Sequence, residues 1–241
     1  MSPTKLRQLA TEPGQYDRPR VRWDEEGLAN SPTRLHMHYY LRRYLPRLNG
    51  RNVLDIGSGT GHLSRLLFQL GAERVIGIEP SRRNVRISRR FFPRVKVYPT
   101  TLERARIAER FETAVVVMAL EHSRNIERWF RLIRKLLEPG GRLYAIVGDF
   151  RHHTSSRFDY TIQRQRFADG SIAVGIERPF GILYDIIRPL RNYRQAANRA
   201  GLRLRRQIPL RPSPLLLRSR PKYRVYRRQA INRLLIFERP R

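Results

Sequence analysis

Three glycines at alternate positions, Gly57, Gly59 and Gly61, follow the apolar run Val53-Leu54-Asp55-Ile56. They precede leucines at helical spacing, Leu63, Leu66, Leu67 and Leu70. Glycine lacks a Cβ, so its backbone approaches a ligand closely and takes positive φ in a tight turn. The next apolar run, Val75-Ile76-Gly77-Ile78, ends in Glu79, 22 residues after Gly57. At the carboxyl edge of a parallel sheet such an acid can accept both hydroxyls of a ribose. Further along, Glu121-His122 closes a fourth apolar run. His122 is the candidate general base, because imidazole titrates near neutral pH. A histidine there can equally shape a pocket or cap the next helix.

Two cofactor classes use a glycine loop followed by an acid. A dinucleotide needs G-x-G-x-x-G, which turns a helix N-terminus toward the pyrophosphate. Here the spacing is G-x-G-x-G, and Asp55 stands two residues before the first glycine. A carboxylate beside a pyrophosphate is awkward, but it suits a ligand with an ammonium group, a sulfonium and no phosphate. That ligand is S-adenosylmethionine. A glycine trio alone also describes a strand–helix turn with no ligand; its pairing with Glu79 discriminates.

The elements that must position these residues alternate. Short apolar runs at 53–56, 75–78, 95–98, 114–118 and 143–147 read as buried strands. Between them, helical spacing covers 63–70, 85–92 and 126–137, and Pro139-Gly140-Gly141 reads as a tight turn. Continuous apolar strands separated by helices imply a parallel sheet with helices on both faces. Upstream, residues 1–30 read as a loose arm, and 33–45 as a helix crowded with Arg34, His36, His38, Tyr39 and Tyr40. Downstream, 160–167 and 172–176 flank Asp169-Gly170 as a hairpin. A short helix at 193–200 and two strands at 202–210 and 234–238 complete the chain, with an Arg- and Pro-rich stretch between them. The expected organisation is an arm and covering helix at 1–48 and one catalytic domain at 49–241, with an insertion at 148–190 and a basic segment at 203–229.

On these motifs the chain resembles the class I S-adenosylmethionine-dependent methyltransferases over about residues 50–147, with a looser continuation to the C-terminus. Val53 to Gly61 looks like the first family motif, and Val75 to Ser81 the second. Phe111 through Leu120-Glu121-His122 is similar to the fourth-strand motif, and Leu137-Glu138-Pro139-Gly140-Gly141-Arg142-Leu143 resembles the turn into strand five. The resemblance implies an α/β Rossmann-like, doubly wound sheet, mostly parallel with an antiparallel last strand. It implies that Gly57, Ser58, Gly59 and Gly61 line the cofactor, that Asp55 helps hold its amino end, and that Glu79 and Pro80 meet the ribose. Thr101 and Leu102 stand where many members contact adenine, with threonine in place of the usual aspartate, and Met118 joins the cofactor set. Arg34 or His36 would reach the cofactor carboxylate. Ubiquinone O-methyltransferases carry a metal-binding acid three residues before their Glu-His pair; Met118 occupies that position, so no metal is expected.

Composition bounds the rest. The 241 residues hold 50 Lys+Arg against 20 Asp+Glu, a formal charge of +30, and four of the basic residues are lysine. Cysteine is absent, which excludes a disulfide scaffold, a zinc–cysteine site, an iron–sulfur cluster and a thiol nucleophile. The longest apolar run, Thr113 to Leu120, is far short of a membrane span, and residues 1–20 carry no apolar signal core, so a soluble cytoplasmic protein without a membrane partner is expected. The insertion interleaves Phe150, Phe158, Tyr160, Phe167, Phe180 and Tyr184 with Arg151, Arg157, Arg164, Arg166 and Arg178. It reads as a lid over an apolar or anionic small-molecule acceptor, or as a stacking surface for RNA or another polyanion. The pair His152-His153 is a further candidate acceptor contact. The stretch Asp185 to Leu190, followed by Tyr193 and Ala200-Gly201-Leu202, resembles the tail of small-molecule methyltransferases; the arginines of 203–228 favour RNA. A non-catalytic scaffold of the same shape is the third alternative.

Overall fold

The computed structural model describes residues 3–17, 31–158, 160–178 and 181–241. Phe180 and residues 18–30 of the expected arm lie outside the described residues. Ten strands and eight α-helices are described. The strands are β1 (Asn52–Ile56), β2 (Arg74–Ile78), β3 (Lys96–Tyr98), β4 (Phe111–Val117), β5 (Leu137–Gly148), β6 (Ile162–Arg166), β7 (Ile172–Arg178), β8 (Gly181–Ile187), β9 (Arg203–Leu210) and β10 (Asn232–Glu238). The helices are α1 (Pro3–Ala10), α2 (Pro32–Tyr44), α3 (His62–Gln69), α4 (Arg82–Phe91), α5 (Ile126–Leu136), α6 (Phe150–Thr154), α7 (Leu190–Arg199) and α8 (Pro214–Ser219).

Seven strands form one sheet in the order β3-β2-β1-β4-β5-β10-β9. The pairs among β1 to β5 are parallel, while β10 runs antiparallel to both β5 and β9. This is the doubly wound, mostly parallel sheet with an antiparallel last strand that the sequence implied. Alternate side chains go to opposite faces of a strand. Leu54, Ile56, Ile76, Ile78, Ala114 and Val116 therefore pack on one face with Phe130 and Ile133 of α5 and Tyr193 of α7. Val53, Val75, Val115 and Tyr144 pack on the other with Leu41 of α2 and Leu66 and Leu67 of α3. Helix starts carry side-chain caps: Ser81 accepts from the Asn84 amide, and Asn125 from the Arg128 amide.

Four expectations change. Residues 3–10 are not a loose arm: α1 lays Leu6 and Ala10 on Ala173, Tyr184 and Ile186 of a second sheet, β6-β7-β8. The hairpin at 160–176 gains a third strand, β8, antiparallel to β7. Pro139-Gly140-Gly141 is absorbed into β5, with Gly140 at φ 79° and a shift of register against β4. The segment 211–229 is also less irregular than expected. Ser213 caps α8 by accepting from the Leu216 amide, and a 3-10 turn spans Pro221–Tyr226. β9 forms one edge of the large sheet, with Arg203, Arg205, Arg206 and Pro209 exposed along it.

Candidate active site

The strand order reverses at β1, with β2 on one side and β4 on the other. In a doubly wound sheet a crevice opens there, beyond the carboxyl ends of the strands. A cavity of about 790 Å³ occupies that place. Ser58, Gly59 and Glu79 line it, as do Met118 and His122 at the end of β4. It continues past Tyr16 and Asp185 to His152, Arg157 and Tyr223.

The three glycines have different jobs. All have positive φ: 71° at Gly57, 55° at Gly59 and 88° at Gly61. A Cβ on Gly57 would stand 2.5 Å from the Ala119 Cβ, so the close pass of β4 requires glycine there. A Cβ on Gly59 would meet no protein atom within 4 Å and would enter the space of the cavity. Gly61 does not line the cavity; its Cβ position lies 2.7 Å from both Phe92 Cδ2 and Ser88 Oγ, at the C-terminal end of α4. Packing inside the protein, not contact with a ligand, explains the third glycine, which corrects the expected role of Gly61.

Glu79 ties the loop to β2. The Gly59 amide donates to its Oε2 at 2.8 Å, and the Ser81 amide donates to Oε1 at 2.9 Å. Asn84 Nδ2 donates to Oε1 at 3.3 Å. Burial raises the Glu79 pKa, and these donors pull it back. Beneath the loop, the Gly57 and Ser58 amides both donate to the Ile78 carbonyl. Gly77, which the sequence reading passed over, makes room for Ser58: a Cβ there would stand 2.6 Å from its Oγ.

Asp55 departs from its expected role. It sits on β1 one residue out of phase with Leu54 and Ile56, so its side chain goes to the α3 face, and it does not line the cavity. Ser64 Oγ donates to its Oδ2 at 2.8 Å, and burial raises its pKa to about 7. Its one side-chain bond thus ties β1 to α3. His36 departs as well: it is buried, and its Nδ1 accepts from the Ser213 amide at 3.1 Å. Arg34 and His38 of the same helix do line the cavity, together with His62. Burial lowers Arg34 to about 10 and both histidines to about 4, leaving the histidines neutral near pH 7.

Pro80, Thr101, Leu102 and Met118 all line the cavity where expected, and so do His152 and His153. Met118 holds φ 53° at the end of β4, an unusual conformation for a residue with a side chain. Its sulfur lies 3.4 Å from Asn232 Nδ2.

His122 is not open to the cavity on its own. The Tyr16 hydroxyl stands 2.8 Å from its Nε2. Its Nδ1 lies 3.2 Å from both the Ala10 carbonyl and Gln15 Nε2, and 3.8 Å from Asp185 Oδ1. Gln15, Tyr16 and Asp17 form a 3-10 turn that reaches three elements. The Tyr184 amide of β8 donates to Gln15 Oε1. Asp17 accepts from Ser81 Oγ and from the amides of Arg82 and Arg83, at the start of α4. None of the three residues was singled out in the sequence, because no local pattern marks a turn whose partners lie between 64 and 169 positions away. Asp185, at the edge of a run read as the chain's tail, was missed for the same reason.

Glu121 is buried behind His122. The Gly148 amide donates to its Oε1, and burial, with Asp185 nearby, raises its pKa to about 7. Buried Arg188 donates to the carbonyls of Leu120 and Ser123, fixing the turn that carries both residues. Among the described residues, no group of three or more acidic or histidine side chains converges as a metal-ligand set.

Comparisons with known proteins agree with this geometry. A family model described as a methyltransferase domain matches residues 33–207. A ubiquinone biosynthesis O-methyltransferase of Methylocella silvestris is 35% identical over 109 residues, 43% of this chain and 42% of that protein. A tRNA U34 carboxymethyltransferase of Idiomarina loihiensis is 33% identical over 109 residues, 42% of this chain and 33% of that protein. The chain thus matches less than half the length of these curated relatives. Among solved structures, an S-adenosylmethionine-dependent methyltransferase from Mesorhizobium loti superposes with a TM-score of 0.67 at 20% identity, covering 90% of this chain and 100% of that one.

Proposed function

The chain belongs to the methyltransferase-domain family, within the class I S-adenosylmethionine-dependent methyltransferases, and from that premise we propose that it transfers a methyl group from S-adenosylmethionine to a small-molecule acceptor. The observation that carries the reading is the clasp between Gly59 and Glu79. A Cβ at Gly59 would occupy cavity space and no protein space, and the carboxylate beside it is held in place by backbone amides. A carboxylate offers about four acceptor positions, and protein donors use three here, so capacity remains for a ribose hydroxyl.

In this reading Glu79 and Pro80 hold the ribose, Thr101 and Leu102 the base, and Gly57, Ser58 and Gly59 the sugar–methionine span. Arg34 takes the cofactor carboxylate, and Met118 fixes the floor beside the reacting centre. The cofactor supplies an electrophilic methyl group on sulfur, and the chain supplies alignment. Where the acceptor is a hydroxyl, its proton passes to the Tyr16 oxygen while the Tyr16 proton passes to His122 Nε2. Burial and the neighbouring Asp185 raise the Tyr16 pKa well above its ordinary value, so Tyr16 relays as a phenol and His122 is the final base. Residues 3–17 and α2 act as the cover of this site, and a cytoplasmic location fits the reading.

Calorimetric titration with S-adenosylhomocysteine tests the cofactor assignment; a folded protein that binds none of it overturns the proposal. The charge of +30 and the tRNA-named relative give RNA as the second reading. A labelled-methyl assay against a metabolite extract and total RNA in parallel decides between the two. Association with RNA through charge alone should fade steeply with salt.

A further inference from the structure

Among the described residues, three cations gather at one end of the cavity. Glu79, at the end of β2, and Thr101, beyond β3, mark the opposite end. α6 follows β5, and Asn232 opens β10 opposite Gly148. These lie three and four strands along the sheet from β2, roughly 14 to 19 Å at the usual strand spacing. The far end is lined by Arg157, Arg220 and Lys222 beside the rings of Tyr160 and Tyr223. The carboxylates that line the cavity sit elsewhere among the described residues: Glu79, Glu103, Glu12 in the N-terminal segment, and Asp185 beside His122.

This end is built and not merely basic. Arg157 is buried, with Nη1 donating to the His152 carbonyl at 2.6 Å. Lys222 Nζ lies 4.5 Å from the Phe158 ring centre and 4.9 Å from that of Tyr160. Phe158 holds φ 50° and packs edge-on against Tyr160, Tyr223 and Tyr226. A left-handed phenylalanine is costly, and such strain collects where a site requires it. The rings seat the Lys222 ammonium; Lys222 and Arg220 are exposed, Arg157 is buried, and all three line the same cavity. Cations gathered on a partly apolar wall bind a negatively charged group more strongly than they would in open water.

Resting on the methyltransferase reading, we propose that the acceptor is an anionic small molecule. Its carboxylate or phosphate monoester is held by Arg157, Arg220 and Lys222, and its apolar body lies against Tyr160 and Tyr223. The acceptor atom then points back toward Tyr16 and His122.

The test is transfer of labelled methyl from S-adenosylmethionine into a small-molecule extract divided by anion exchange into anionic, neutral and cationic pools. Label should enter the anionic pool. Repeating the separation below the carboxylic-acid pKa distinguishes the two sources, because a carboxylate then loses its charge and a phosphate keeps it. With the labelled pool as substrate, the double variant Lys222→Gln/Arg220→Gln should raise KM about tenfold or more and leave kcat within about twofold, the range expected for losing charge-assisted bonds. Its affinity for S-adenosylhomocysteine should not move. Label found only in the neutral or cationic pool, or only in RNA, overturns the proposal. So does an unmoved KM, or an absence of label in every pool from enzyme that binds S-adenosylhomocysteine. Failure to bind S-adenosylhomocysteine would instead sink the methyltransferase reading itself.

Discussion

The two halves of the cavity are made by different means. The half under β1 and β2 is a backbone device: Gly59 opens the space, Gly57 and Ser58 are tied to the Ile78 carbonyl, and Glu79 is pinned by two amides. Its parts lie within about one β–α–β unit. The half beyond β4 is a side-chain device. It draws Tyr16, His122, Arg157, Asp185 and Lys222 from segments scattered along the chain. A backbone device fixes what every member of a fold must hold, whereas a side-chain device can be rebuilt for each acceptor.

The sharpest way to break this contrast is at the glycines. Gly59→Val should weaken S-adenosylhomocysteine binding by about a hundredfold or more, while the strain of a side chain at positive φ costs only about 1–2 kcal/mol of stability. Gly57→Val should reverse that balance, because its Cβ meets Ala119 at 2.5 Å. Its melting temperature should fall before any ligand is added. Equal melting temperatures for the two variants, read by calorimetry, would show that the glycines do one job and not two.

Next in size is the pair at the centre. Tyr16→Phe and His122→Asn should each lower kcat by about a hundredfold for a hydroxyl acceptor, the usual scale of general base catalysis. Affinity for S-adenosylhomocysteine should stay within about twofold for both. A cofactor affinity that falls in step with kcat would move these residues into the cofactor half.

A smaller effect should appear in the pH dependence of stability. Burial raises Asp55 to about 7, so the folded protein holds that proton more tightly than the unfolded chain. Stability from this group is therefore present at low pH and is lost as pH climbs from about 4 toward 7. Asp55→Asn should flatten that part of the melting curve against pH, a direct measure of how firmly the backbone half is underpinned. An unchanged slope would place the titration elsewhere.

The smallest change expected is at the cover. Asp17→Asn weakens the charge-assisted bonds to Ser81, Arg82 and Arg83 and should cost about 1 kcal/mol. Hydrogen exchange at the first amides of α4 should rise, with the sheet unaffected. Unaltered exchange there would detach the N-terminal turn from the backbone half.

Legibility follows the same division. The five parallel strands, the loop and Glu79 were readable, since each is announced by residues close together in sequence. α1 was not: its apolar face is only Leu6, Leu9 and Ala10, and it acquires meaning from β7 and β8, more than 150 positions away. Asp55 was read from its place in a motif, but strand alternation sends its side chain to Ser64 on the opposite face. Gly61 was read as a ligand contact and proved a packing glycine beside Phe92. Tyr16 escaped notice because a lone tyrosine in a polar segment carries no local signal; its significance is its 2.8 Å approach to His122.

The bare margin of β9 has a further consequence. Open sheet margins are where one molecule adds its backbone to another, the first step toward fibrils. Along this margin Arg203, Arg205 and Arg206 are exposed, Arg205 pairing with Glu238 of β10 and Arg206 lying over the Tyr44 ring, and Pro209 lacks a donor. A second copy approaching along it meets its own charge and an interrupted ladder. Arginines along this margin thus oppose edge-to-edge growth, and crowding should not readily template the protein into polymer.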